Sequence, residues 1–221
     1  MFKRALTQWS SELAYAVGLI ATDGNLSKNG RTVIFVSKDI EQIKTFKNCL
    51  EINSKVCVKN GGYAPDRKYY FLQLTDKKFY NFLISIGLMP AKSKILGALN
   101  IPGKYFFDFL RGCLDGDGSF YSYWDKRWAS SYLFYLSFMS ASLKYMRWMR
   151  GRIYDLCGVS GHINYSGKLA CTYQLKYAKA EAKILIDRIY YNEDVPRLER
   201  KYKKIYSALQ VENLHNSGNI G

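Results

Sequence analysis

One pattern occurs twice in this chain and limits its architecture more than any other feature. The segment Ala14-Tyr15-Ala16-Val17-Gly18-Leu19-Ile20-Ala21-Thr22-Asp23-Gly24 is matched by Asp108-Phe109-Leu110-Arg111-Gly112-Cys113-Leu114-Asp115-Gly116-Asp117-Gly118. Gly18 and Gly112, Asp23 and Asp117, and Gly24 and Gly118 are each 94 positions apart. Similarity continues downstream. Phe35-Val36-Ser37 resembles Phe138-Met139-Ser140, Gln73-Leu74 resembles Gln174-Leu175, and Leu88-Met89-Pro90 corresponds in position to Asp194-Val195-Pro196. The offset drifts along the chain, as expected for two copies of one αβ unit with different loop lengths. The expected division is residues 1–100 for the first repeat and 101–209 for the second, joined at Ile101-Pro102-Gly103. Residues 210–221, with Asn, Ser and Gly, are expected to form a frayed tail.

Each repeat reads as helix, two strands, helix, two strands, helix. In the first, the opening helix spans 11–22. Strands follow near 24–27 and 31–37, the latter rich in β-branched residues. Asp39 with Gln42 three residues on resembles a capping box. The helix it opens carries Ile40, Ile43, Phe46 and Leu50 on one face. Strands near 54–59 and 68–75 flank the turn-prone Asn60-Gly61-Gly62. Asp76 caps the next helix and Gly87 stops it. In the second repeat, strands are expected near 119–124, 132–140, 161–165 and 170–177, with helices near 143–156 and 179–191.

In the repeated helix, small residues recur at spacing four: Ala14 and Gly18, then Gly112 and Gly116. Residues four apart share a helix face. Two such faces can approach more closely than the usual ~8–10 Å between helix axes. The C-terminal ends would then meet, each carrying an Asp followed by Gly. A carboxylate at a helix C-terminus opposes the macrodipole, and two brought together repel. A divalent cation reverses that balance, because paired hard oxygen ligands suit Mg²⁺. Metal ions held so can stabilise the attacking and leaving oxygens of phosphodiester hydrolysis.

The charge points the same way. Lys plus Arg total 33 against 18 Asp plus Glu, a net +15, shared nearly evenly between the halves. A polyanionic partner follows, either nucleic acid or an acidic membrane surface. The longest apolar run, Leu13 to Ala21, falls far short of the roughly 20 residues of a spanning helix, and membrane attachment is not expected. The start, Met1-Phe2-Lys3-Arg4, has no signal-peptide core. Five cysteines without a CxxC pair read as reduced residues of an intracellular protein, and two histidines leave little for a zinc site.

Ala16–Gly24 and Leu110–Gly118 resemble the two motifs of the LAGLIDADG homing endonucleases, and the resemblance covers about residues 10–208. The first motif departs from the usual pattern at Ala21-Thr22. The resemblance implies an α+β fold: a duplicated αββαββα unit forming a pseudo-twofold saddle of two antiparallel sheets over DNA. It implies Asp23 and Asp117 as catalytic metal ligands, with Thr22 and Gly116, the residues preceding them, in the metal site. Two or three Mg²⁺ ions are implied, with Mn²⁺ or Ca²⁺ able to substitute for binding. It also implies supporting roles for Lys38, Lys92 and Lys201, although Ala141 occupies the position matching Lys38 and makes the site asymmetric.

The hairpins offer a DNA-reading face: Asn25, Ser27, Lys28 and Arg31; Lys59, Arg67 and Lys68; Tyr121, Tyr123, Lys126 and Arg127; His162, Asn164, Tyr165 and Lys168. Arg can pair with guanine edges and Asn with adenine, while Lys anchors phosphates. The expected protein is a monomer acting on double-stranded DNA in a roughly palindromic target, lodged with host DNA in the cell. An RNA-splicing maturase acting on intron RNA and a non-catalytic DNA-binding regulator are the competing readings. Retention of both aspartates favours cleavage over either.

Overall fold

The computed structural model describes residues 6–60, 68–127, 131–167 and 171–218. Arg67, Lys168 and the Gly61-Gly62 turn lie outside the described residues. The architecture is α+β. Seven helices accompany two four-stranded antiparallel sheets among the described residues. In the first lobe α1 (Ser11–Asp23) leads into β1 (Gly24–Leu26) and β2 (Thr32–Ser37), α2 (Ile40–Cys49), β3 (Val56–Asn60), β4 (Lys68–Thr75) and α3 (Lys77–Ser85). The second lobe repeats this as α4 (Phe106–Asp115), β5 (Ser119–Trp124), β6 (Tyr132–Ser140), α5 (Leu143–Cys157), β7 (His162–Ser166), β8 (Thr172–Ala178) and α6 (Lys179–Ile189). A last helix, α7 (Glu199–Gly218), follows. The strand orders are the same in both lobes: β1-β2-β4-β3 and β5-β6-β8-β7.

Each sheet lays one face on helices. The inward residues of the first sheet include Leu26, Val33, Phe35, Leu72 and Leu74; those of the second include Phe120, Phe134, Leu136, Phe138, Leu175 and Tyr177, all buried. Period-two alternation then fixes the other face outward. The helix starts follow their caps. The Ser10, Asp76 and Ser142 side chains accept the amides of Leu13, Phe79 and Tyr145 at the openings of α1, α3 and α5.

Strand pairing corrects one internal alignment. Phe35 pairs with Leu72, and Phe138 pairs with Leu175. The counterpart of Leu175 is therefore Leu72, and the Gln73–Gln174 match is displaced by two residues. Such a slip preserves the inward/outward alternation, which is why the sequence pattern tolerates it.

The Asp39–Gln42 capping box does not form. Asp39 makes no side-chain cap bond and its carboxylate pairs with Arg200. Gln42 is drawn instead to the other lobe. Over its described part the tail beyond Leu209 is helical, with α7 continuing to Gly218. The buried Glu212 holds it, meeting Lys179 at 3.0 Å and Lys183 at 3.1 Å.

Candidate active site between two motif helices

α1 and α4 pack backbone against backbone. A Cβ built on Gly112 would overlap the Tyr15 carbonyl oxygen and lie 3.0 Å from the Gly18 Cα; one built on Gly18 would overlap the Phe109 carbonyl oxygen. No side chain larger than hydrogen fits at either position. Polar contacts complete the junction. Ser11 Oγ donates to Asp108 Oδ1 at 2.6 Å, and Tyr15 Oη donates to Asp115 Oδ2 at 2.9 Å.

Arg111 is fully buried, an outlier on a largely apolar helix, and its guanidinium is consumed internally. It donates to the carbonyls of Pro196 and Ile189, both at 2.8 Å, and to Asp108 at 2.7 Å. A buried charge persists only when paired in this way. Asp115 plays a related part. Besides Tyr15 it accepts the Leu198 amide at 2.8 Å, which ties the second motif to the segment entering α7. Burial pushes its carboxyl up to about 6, against the pull of Lys201.

The close approach brings the helix ends together. α1 runs through Asp23, whereas α4 stops at Asp115, two residues before Asp117. A Cβ on Gly116 would overlap Thr22 Oγ1 and stand 2.7 Å from Asp23 Oδ2, so the first lobe's carboxylate rests against the second lobe's motif. Burial, and next the charge of Asp117, push the Asp23 carboxyl up to about 6. Asp117 is likewise raised by the protein around it. Thr22 turns its hydroxyl back along the helix, donating to the Leu19 carbonyl at 3.0 Å.

Two lysines flank the pair. Buried Lys92 sits in a 3-10 turn, Lys92–Lys94, entered through Ala91 in the left-handed region (φ 53). Its ammonium donates to the Gly24 carbonyl. Lys201, on α7, donates to the carbonyls of Leu114 (2.6 Å), Asp115 (2.9 Å), Gly116 (2.9 Å) and Gly118 (2.7 Å). Gly24 and Gly118 are equivalent motif positions, so each lysine grips its own lobe's motif glycine. Burial lowers both lysines to about 8, opposed by the aspartates.

Four sequence-selected residues therefore meet here: Asp23, Asp117, Lys92 and Lys201. Gly116 is present too, but its carbonyl already accepts from Lys201. Lys38 does not join them. It is exposed, with its ammonium 5.6 Å from the centre of the Tyr69 ring, while the lysines acting on Asp23 are Lys201 and Lys92. One polar residue near the centre was not selected. Gln42 donates to the Asp115 carbonyl at 2.8 Å and accepts from Ser37 Oγ at 2.6 Å. No signal in the sequence pointed to this contact, because the local spacing of Gln42 suggested a helix cap instead.

Among the described residues no group of three or more His, Cys, Asp or Glu is placed to hold a metal. The fit of a divalent cation rests on the two carboxylates. Burial first, and then the charge of Asp117, raises the Asp23 carboxyl, and a hard cation would relieve both.

On the outward sheet faces, register places Asn25, Ser27 and Lys59 in the first lobe, and Tyr121, Tyr123, His162 and Asn164 in the second. Lys28 and Arg31 are exposed at the β1–β2 turn, and Lys126 and Arg127 at the turn after β5. Arg127 is held by Asp125 through Nη2 at 2.9 Å. Two of the selected residues lie off that face. Lys68 alternates with the inward Leu72, and Tyr165 pairs with Tyr173 on the parity of Leu175. Both fall on the helix side of their strands, one residue out of phase with the outward set. Lys176 and Tyr135 were missed. The Lys176 ammonium lies 3.6 Å from the Tyr135 ring centre, and Tyr135 stacks on Tyr121 at 5.2 Å.

No protein-family model matches this sequence, and no curated protein does. Solved structures do resemble it. The homing endonuclease I-WcaI, bound to its DNA recognition sequence, matches with a TM-score of 0.62 at 10% identity, over 89% of this chain and 88% of that one. I-DmoI in complex with DNA and Mn matches at 0.51 and 17% identity, over 86% and 97%. Full-length DUF199/WhiA from Thermatoga maritima matches at 0.56 and 14% identity, over 97% of this chain and 70% of that one. The fold is that of the LAGLIDADG homing endonucleases, and WhiA shares it.

Proposed function

We propose that this protein is a site-specific DNA endonuclease that makes a double-strand break in a long, roughly pseudo-palindromic target by metal-dependent phosphodiester hydrolysis. The observation that carries this reading is the abutment of Asp23 on Gly116-Asp117 between buried Lys92 and half-buried Lys201. A purely structural protein gains nothing from two like charges at the seam of its lobes. The I-WcaI and I-DmoI structures, solved with DNA, support a double-stranded DNA partner for this chain.

Asp23 and Asp117 would hold Mg²⁺, with Mn²⁺ as a substitute. Bound there, the cation would offset negative charge on the scissile phosphate and lower the pKa of a water. The chain's own residues supply the rest. Gly18 and Gly112 fix the separation of the carboxylates. Lys92 and Lys201, with pKa values near 8, remain mostly cationic at neutral pH and can stabilise anionic phosphate oxygens or hold a proton close to the operating pH. The basic outward faces of the two sheets anchor the backbone. Both lobes lie in one chain, so one copy suffices as a monomer. Intron homing is the role such an activity would serve, in a compartment shared with host DNA.

The experiment is cleavage selection from a randomised duplex library with Mg²⁺. Recovery of one long sequence cut in both strands is the expected result. Binding without cutting under these conditions would instead favour the regulator reading.

A further inference from the structure

The two lobes are pseudo-equivalent in backbone but not in the chemistry they present outward. In each sheet one outward cross-strand row lies next to the motif glycine, which pairs with Phe35 in the first lobe and aligns with Phe138 in the second. In the first lobe that row is Cys57–Phe71–Val36. All three side chains are half-buried and none offers a strong hydrogen-bonding group. Lys59 stands 5.9 Å from the Phe71 ring centre, and so flanks the row with positive charge. In the second lobe the corresponding row is Asn164–Gln174–Met139. Two side-chain amides thus stand where the first lobe has a thiol and a phenyl ring. The Gln174 amide leans on Ser137 Oγ at 3.2 Å, and Asn164 is exposed.

This inference rests on the reading above that DNA lies against the outward sheet faces. An apolar row can discriminate base pairs in the major groove through one feature, the thymine C5 methyl. An Asn–Gln row can pair with the N6 and N7 of adenine. We propose that the two half-sites are read by different chemistry at equivalent distances from the cut. In the half under the first lobe, Val36 and Phe71 contact thymine methyls. In the half under the second lobe, Asn164 and Gln174 hydrogen-bond adenine. The readout is therefore asymmetric beside the centre even where the target sequence is palindromic.

The test uses the full chain and two atomic substitutions in DNA. A preferred duplex is first selected by binding from a randomised library, independently of cleavage. Deoxyuridine then replaces thymidine one position at a time, removing only the methyl, and 7-deazaadenine replaces adenine, removing only the N7 acceptor. Near the centre, deoxyuridine is expected to weaken binding about fourfold per methyl in one half only, the equivalent of one buried methylene-sized group. The 7-deazaadenine effect is expected in the other half only. Val36→Ser with Phe71→Ser should abolish the deoxyuridine sensitivity, and Gln174→Ala the 7-deazaadenine sensitivity, which also assigns each half to its lobe. Equal sensitivities in both halves, or none, would overturn the inference, as would a library yielding no preferred duplex. Cutting of the selected duplex with Mg²⁺ is scored separately, so loss of the nuclease reading and loss of this one are distinct outcomes.

Discussion

Gly18 and Gly112 face each other across the lobe junction with no room for a methyl group between the helices; a Cβ on either would collide with backbone, not with a side chain that could turn aside. Gly112→Ala and Gly18→Ala must therefore force α1 and α4 apart. Overpacking of this kind costs about 1–3 kcal/mol, at the upper end where only backbone can yield. Denaturant unfolding should show that loss in both variants. Cleavage should fall further than stability, because separation of the helices displaces Asp23 from Asp117. A variant with unchanged unfolding midpoint would contradict the packing.

Asp23 carries a stability cost that its removal should reveal. Its carboxyl titrates at about 6 in the folded chain against roughly 3.9 when unfolded. The folded state holds this proton more tightly, so stability declines as pH rises through the window from about 4 to about 6. Above it the full cost applies. Asp23→Asn should then stabilise the fold at pH 7 by on the order of 1–2 kcal/mol, since the shift is discounted for partial exposure. The gain should vanish near pH 4. The same variant should lose double-strand cleavage while retaining DNA binding. Thermal unfolding at the two pH values checks the first part and a cleavage assay the second.

Much of the architecture was legible because the duplicated motif carried it. The glycine spacing foretold the helix contact, and the mirrored pattern of the second repeat placed strands at 119–124 and 132–140, the same bounds the structure has. What escaped depended on partners far along the chain. Gln42 looked like a capping residue because its local spacing was right, yet its amide reaches Asp115, whose position only the lobe contact determines. Lys68 and Tyr165 were misplaced by a single step of strand parity, which a polar hairpin sequence does not fix. Lys38 matched a family position in sequence, but its ammonium lies over Tyr69. The tail looked frayed from composition alone, whereas Glu212 finds two lysines on α6.

The acid–base balance of the site predicts a bell-shaped rate profile. Below about 6 a proton occupies Asp23 and competes with the cation. Above about 8 the lysines lose their charge. For the free enzyme, kcat/KM should rise with pH through the first value and fall through the second. Raising Mg²⁺ should move the acid limb to lower pH, because cation and proton compete for the same oxygens, and should leave the alkaline limb in place. A profile flat from pH 5 to 9 would show that neither group governs the reaction.

The two lysines should separate when each is replaced by methionine. Lys92 donates to one carbonyl, that of Gly24, so its loss leaves few groups unsatisfied. Lys201 donates to four carbonyls that terminate α4 and position Asp117. Of these acceptors only the Asp115 carbonyl also receives Gln42. Each buried acceptor left without its donor costs about 1–3 kcal/mol, partly offset because the lysine's own desolvation is relieved. Lys201→Met should therefore lower stability by about 2–4 kcal/mol. Lys92→Met should stay within about 1 kcal/mol of the parent, with both variants slow in single-turnover cleavage. Equal unfolding midpoints for the pair would mean that the Lys201 contacts do not support the helix end, and that its role lies in charge alone.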